Sequence, residues 1–282
     1  MTHIGELITA GPTRSVEFFP PKTPEGRVNL DRTLAELASV DLSFVSVTYG
    51  AGGSVNKVTR DIVVHIAEEW PFPAMPHLTC MGHTRDELSA LLDDYVASGI
   101  DNILALAGDP PADGSPAGGD FTYASELVEL VRARSDLSIG VAAFPEVHPR
   151  SPSRVEDRRR LADKLAAADF GITQFFFDAD DYFRMVDELA ALGCNTPVLP
   201  GIMPMTNTTS IRRFAALNNA RFPEELAASV DAAVSDVDRL AIAVDAATEL
   251  GARLLEGGVP GLHFYCLNRA DATLGIIAQL DA

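Results

Sequence analysis

The chain has 282 residues, 47% of them hydrophobic and 22% charged, enough for one large α/β domain with a full core. Its 22 Lys+Arg stand against 40 Asp+Glu, a net charge of −18, which argues against nucleic acid or an anionic membrane as partner and obliges any phosphate-bearing ligand to find a local basic patch. No apolar run approaches membrane-spanning length, the start lacks the basic and apolar stretches of a signal peptide, and the 3 cysteines, Cys80, Cys194 and Cys266, show no C-x-x-C, so the expectation is a cytoplasmic, metal-free protein.

Ser15-Val-Glu-Phe-Phe-Pro-Pro21 reads as the first strand, with Val16, Phe18 and Phe19 suited to a pleated surface and Pro20-Pro21 ending the pairing. Glu17 lies inside it. A carboxylate buried without a partner tends to keep its proton, the state a general acid needs near neutral pH; a core Arg partner or an outward-facing Glu are the alternatives. A helix near Asn29–Val40 follows, then a strand at Phe44–Tyr49, a helix near Lys57–Glu69 and a strand at Met75–Cys80. Thr84 with Glu87 forms a capping box for a helix to Ser98. Strand four is expected at Asn102–Ala107, a helix at Tyr123–Arg134, strand five at Ser138–Phe144 and a basic helix at about Ser153–Ala168. Strand six is expected at Ile172–Phe177, a helix near Asp180–Leu192 and strand seven at Pro197–Ile202. Helical segments near Asn207–Asn218 and Pro223–Ala228 precede a long helix at about Asp231–Glu256, strand eight at Gly261–Leu267 and a last helix from Asp271. Eight strands, each followed by helix, predict a (β/α)8 TIM barrel. A doubly wound sheet would carry a Gly-rich turn where Pro20-Pro21 stands. No linker divides residues 1–282, so one domain is expected.

Barrel enzymes work at the C-terminal ends of their strands. Glu17, Thr48, Tyr49, His77, Asp109, Glu146, His148, Gln174, Asp178, Asn268 and Arg269 lie in or just after the expected strands. Each alone has a plain structural reading, such as a core histidine, a strand threonine or a turn aspartate. Together they describe a pocket with acids, an amide and an arginine, suited to a polar, nitrogen-rich substrate. On the basic helix, Asp157, Arg160 and Lys164 share a face by their spacing of three and four; a phosphate site and a solvated face both remain open.

Ser15–Pro21, Phe44-Val-Ser-Val-Thr-Tyr-Gly-Ala-Gly-Gly53, Pro76-His-Leu-Thr-Cys80, Gly108-Asp-Pro-Pro111, Pro145-Glu-Val-His-Pro149, Ile172-Thr-Gln-Phe-Phe-Phe-Asp178 and His263-Phe-Tyr-Cys-Leu-Asn-Arg-Ala270 resemble, in order and over nearly the whole chain, methylenetetrahydrofolate reductases of the bacterial single-domain type. The resemblance implies reduction of 5,10-methylenetetrahydrofolate to 5-methyltetrahydrofolate with NADH or NADPH. It makes Glu17 the general acid and Asp109 the acid that favours a 5-iminium cation. It places Asp109, Gln174, Phe214 and Arg269 on the folate. It assigns Thr48, Tyr49, Ala51, His77, Gly108, Asp109, Ala124, His148, Asp157 and Lys164 to FAD in flavin-bearing members. Several flavin positions depart from the pattern. Ala107 replaces an arginine, Phe144 a tyrosine, and Asp163 a basic residue, while Arg160 stands ready to restore positive charge. These departures predict weak or absent FAD binding and hydride transfer directly from NADH to folate. A folate-binding barrel without turnover and an unrelated barrel lyase are the rival readings; the lyase needs a Schiff-base lysine or a metal cluster.

Overall fold

A computed structural model describes residues 2–49, 56–109 and 118–282. Eight parallel strands close into a barrel in sequence order: β1 Thr13–Phe18, β2 Phe44–Val47, β3 Ala74–Thr79, β4 Asn102–Leu106, β5 Ser138–Ala143, β6 Phe170–Phe175, β7 Val198–Ile202 and β8 Gly261–Tyr265. The helices are α1 Ile4–Ala10, α2 Pro24–Leu37, α3 Asn56–Glu69, α4 Arg85–Ala97, α5 Ala124–Arg134, α6 Arg154–Ala166, α7 Ala179–Ala191, α8 Thr208–Asn218, α9 Glu224–Ala232, α10 Asp236–Glu256 and α11 Asp271–Leu280. Among the described residues no helix is long and apolar enough to cross a membrane.

Strand alternation divides the core in two. Val16, Phe18, Val45, Leu78, Val141 and Phe264 face the helices and merge with their apolar stripes. Phe44, Met75, Leu104, Phe170, Ile172 and Leu199 fill the barrel interior together with Ile4 and Ile8 of α1. That helix has no counterpart in the sequence reading. Seven residues with two buried side chains give too short a period to detect, and α1 is held by tertiary bonds instead. Asn102 Oδ1 accepts from the Ile4 N–H at 2.7 Å, and Ser138 Oγ accepts from the Gly5 N–H at 3.1 Å.

Some boundaries move for local reasons. α2 starts at Pro24, earlier than expected, because Thr23 accepts from the Gly26 N–H and proline suits the first helical turn. The expected long helix from Asp231 is two helices: Asp231 ends up in α9, and Ser235 caps α10 by accepting from the Asp238 N–H. β8 stops at Tyr265 because Leu267 and Asn268 turn left-handed, with φ of 51° and 58°. The Thr84–Glu87 capping box forms as its spacing required.

Candidate active site

Alternation along β1 turns Ser15 and Glu17 inward while Val16 and Phe18 pack outward. Glu17 pairs in register with Ser46 of β2 on one side and Tyr265 of β8 on the other. Its Oε2 lies 3.3 Å from His77 Nε2 and 3.7 Å from His263 Nε2. Among the described residues no Lys or Arg reaches ion-pair distance of it, so the arginine-paired alternative drops out. Burial lowers the pKa of His77, with Glu17 opposing and His263 adding to the effect, which favours a neutral ring beside the carboxyl. Both Nε2 atoms and Ser46 Oγ are buried without a hydrogen-bond partner. Buried polar atoms left open in this way are what a water or a ligand satisfies. Behind them, His263 Nδ1 lies 2.8 Å from Ser15 Oγ, and the Tyr265 hydroxyl donates to the Thr173 carbonyl at 2.6 Å.

The β4–β5 side of the mouth carries the charge. Gly108 takes φ of 89°, and a Cβ there would come 3.1 Å from Thr79 Cβ, so glycine brings Asp109 to the rim, where it is exposed. Arg150 Nη2 donates to the Gly108 carbonyl at 3.3 Å, and its main-chain N–H donates to His148 Nδ1 at 3.1 Å. Burial first, and Arg150 second, lower the His148 pKa. Lys164 donates its ammonium to the Ala142 carbonyl at 2.7 Å, and loss of water pushes its pKa down to about 8. Asp157 is occupied by its own loop: it accepts from Ser151 Oγ at 2.7 Å, the His148 N–H at 3.1 Å and Arg158 Nη1 at 2.6 Å.

Arg160 does not join this group. It is 54% exposed and binds Glu156 Oε1 at 2.7 Å. Seven residues are nearly two helical turns, so Asp157 and Lys164 coincide, whereas Arg160 falls about 60° aside. Asp163 is exposed, and the Phe144 ring stands edge-on to His148 with centroids 4.5 Å apart. A flavin dinucleotide needs a firm pyrophosphate grip. Arg160 is turned to solvent, Asp157 is already bonded, and Arg154 and Arg158 are tied to Glu188 and to loop carbonyls, which leaves Lys164 and Arg150 less committed to carboxylates on this side among the described residues.

On the opposite wall, Gln174 Oε1 accepts from Asn218 Nδ2 at 3.1 Å. Phe214 of α8 packs on a cluster containing Phe175, Met203, Met205 and Tyr265. Arg269 is exposed and paired with Asp271 at 2.9 Å. Thr48 donates its N–H to the Phe18 carbonyl at 2.8 Å, and Tyr49, its pKa raised to about 12 mainly by burial, bonds His83 Nε2 at 3.0 Å. Ala124 opens α5, and Ala51 lies outside the described residues. Sequence reasoning missed His263, Asn218 and Arg150. His263 was legible in principle, two residues before Tyr265 on one strand face; the other two act across loops distant in sequence. Among the described residues no three His, Cys, Asp or Glu side chains converge as metal ligands.

Acids, histidines and an amide gathered at the strand ends of a closed parallel barrel define an enzyme of the (β/α)8 class. The family model for methylenetetrahydrofolate reductase matches residues 4–281. The chain is 39% identical over 269 residues to the 5,10-methylenetetrahydrofolate reductase of Escherichia coli K12, covering 94% of this chain and 90% of that protein. It is 34% identical over 283 residues to methylenetetrahydrofolate reductase (NADH) 1 of Arabidopsis thaliana, covering 94% of this chain and 48% of that longer protein. A solved Clostridium thermocellum protein, described as binding two copies of 5-methyl-5,6,7,8-tetrahydrofolic acid, shares the fold with a TM-score of 0.69 at 15% identity, covering 98% and 97% of the two chains. The chain belongs to the methylenetetrahydrofolate reductase family and is an oxidoreductase. That membership also sets aside the lyase reading.

Proposed function

We propose that this chain, acting as one catalytic domain in the cytoplasm, reduces 5,10-methylenetetrahydrofolate to 5-methyltetrahydrofolate with hydride taken directly from NADH or NADPH. Glu17 is the general acid: its proton goes to N10 as the C–N10 bond breaks and the imidazolidine ring opens to the 5-iminium cation. Asp109 stabilises that cation. Hydride from the dihydronicotinamide then adds to the methylene carbon, leaving an N5-methyl group and oxidised nicotinamide. Gln174, with Oε1 held by Asn218, offers its amide N–H groups to the folate, with Phe214 and Arg269 at the same wall. Thr48, Tyr49, His77, Gly108, His148 and Lys164 line the groove for the dinucleotide.

The observation that carries this reading is Glu17 itself, inside a barrel between His77, whose pKa burial lowers, and His263, with no Lys or Arg beside it among the described residues. Direct transfer is supported by Arg160, which pairs outward with Glu156, and by the chemistry, since an iminium carbon is itself a hydride acceptor and needs no intermediate carrier. The flavin-bearing version of the same reaction is the alternative, favoured by the inward Lys164. The test is NADH-dependent reduction of methylenetetrahydrofolate by colourless protein, with and without added FAD. Full activity with no flavin by mass spectrometry is expected; activity lost on stripping a yellow preparation and regained with FAD would overturn direct transfer. Glu17→Gln keeps shape but loses the transferable proton, and turnover should fall at least ~10²-fold with the far-UV spectrum unchanged. Near-native turnover in that variant would remove Glu17 from the chemistry.

A further inference from the structure

β1 ends in a way that creates a specific need. Pro20 and Pro21 have no N–H, so the Phe19 N–H is the last main-chain donor that this edge of the barrel offers before Lys22. The β1–β8 ladder has already stopped, at the pair Glu17–Tyr265. Beyond that pair, Asn268 takes the place of a strand neighbour. Its Oδ1 accepts from the Phe19 N–H at 2.9 Å, and its Nδ2 donates to the Phe19 carbonyl at 2.9 Å. Two more contacts tie the same turn down: Cys266 Sγ donates to the Glu17 carbonyl at 3.1 Å, and the Asn268 carbonyl accepts from Thr33 Oγ1 of α2 at 3.1 Å. Main-chain atoms on both sides of Phe18 are thus held from the turn that follows β8.

The turn adopts an unfavourable backbone to do this. Leu267 and Asn268 both have positive φ, 51° and 58°. Asparagine tolerates that region, whereas a bulky leucine does so at a cost. Such strain persists where the surroundings over-determine it, and here it delivers the Asn268 carboxamide to Phe19. We infer that Asn268 is a positioning residue for the reaction: by extending the β1–β8 ladder one step past Glu17 it fixes the exit of β1, and with it the reach of the Glu17 carboxyl to the substrate. It acts through Glu17 and touches no reacting atom. The inference rests on the reading of Glu17 as the general acid.

The variant that isolates it is Asn268→Gly, because glycine keeps the left-handed backbone without strain and removes only the two side-chain bonds. We expect kcat to fall about tenfold, in line with the sensitivity of proton transfer to small misplacements, while the KM for NADH stays within about twofold. Asn268→Asp keeps the acceptor for the Phe19 N–H and loses the donor to its carbonyl; it should lie between the two. The deciding measurement is a double-mutant cycle with Glu17→Gln. If Asn268 works through Glu17, the pair loses no more than Glu17→Gln alone. Losses that multiply, or an Asn268→Gly enzyme with native kcat, would overturn the inference while leaving Glu17 in place. A Glu17→Gln enzyme with native kcat would instead overturn the reading beneath it. If the glycine variant melts below the assay temperature, the cycle is run with Asn268→Asp, and the same two outcomes decide.

Discussion

Lys164 places its ammonium against the Ala142 carbonyl, and desolvation there brings its pKa from 10.5 to about 8. If this charge helps hold the dinucleotide phosphates, affinity must follow its protonation. Below about pH 8 the group is charged and attracts the anion; above it, each unit of pH leaves about tenfold fewer charged molecules. The dissociation constant for NADH, followed by its fluorescence, should be flat from pH 6.5 to about 7.5 and weaken about tenfold by roughly pH 9. Lys164→Met should bind weakly at every pH, with no such slope. A native profile flat through pH 9 would place the phosphates elsewhere. The same shift has a stability sign: between about 8 and 10.5 the unfolded chain binds the proton that the folded chain releases, so this residue's contribution to stability rises with pH across that window. Individual residues were unevenly legible. Glu17 stood out because a carboxylate in an apolar strand demands a reason, but its inward direction was left open until the barrel closed around it. For Arg160, spacing on one helix said which residues are near each other and left open which way the helix faces; its partner is Glu156. Asn218 and Arg150 gave no signal, since their partners, Gln174 and Gly108, lie far away along the chain.

Between β6 and β7 the ladder is irregular, with a register shift between Ile172 and Phe175. Gly201 is the reason such a shift fits. Its N–H donates to Thr173 Oγ1 at 2.8 Å, and a Cβ there would stand 2.5 Å from both the Thr173 carbonyl oxygen and Tyr265 Cε2. Only a bare Cα lets the Tyr265 ring of β8 pass over β7 and reach the Thr173 carbonyl of β6. Gly201→Ala should therefore cost about 1–3 kcal/mol, as overpacking does, seen as a lower urea midpoint at unchanged m-value. Turnover should fall as well, because the displaced ring belongs to the wall of the acid's pocket. An alanine variant with native midpoint and native turnover would mean that Tyr265 has room to move. The sequence showed a strand here, but Ile172-Thr-Gln-Phe-Phe-Phe177 is apolar on both faces and does not set its own register. The observed strand starts two residues earlier, at Phe170, and Phe176 leaves it to stack on Tyr182 with centroids 6.0 Å apart. Cross-strand packing, invisible to a local window, made that choice.

At the scale of the whole molecule, the barrel was countable from its eight strand-and-helix units, and the proposed catalytic groups Glu17, Asp109 and Lys164 belong to one end of it. The other end needs a closure that no repeat announces. α1 provides it, with Ile4 fully buried and Ile8 5% exposed against Phe44, Met75, Leu104 and Phe170. A cavity of about 630 Å³ opens beside this helix, and its Arg132–Asp169 pair is satisfied at 2.8 Å, so the region reads as a seam and carries no converging catalytic groups. The separation of the two ends makes a clean prediction. Ile4→Ala should destabilise the fold by roughly 2–5 kcal/mol, because the rigid strand floor above it collapses little into the space left behind. Ile8→Ala, nearer the edge, should fall at the lower part of that range. At a temperature where both variants are folded, kcat and KM should stay native, since Glu17, Asp109 and Lys164 lie at the opposite rim. Urea unfolding with parallel steady-state kinetics checks both halves. Loss of activity in a fully folded Ile4→Ala protein would show that the two ends are coupled through the barrel interior and do not divide stability from chemistry.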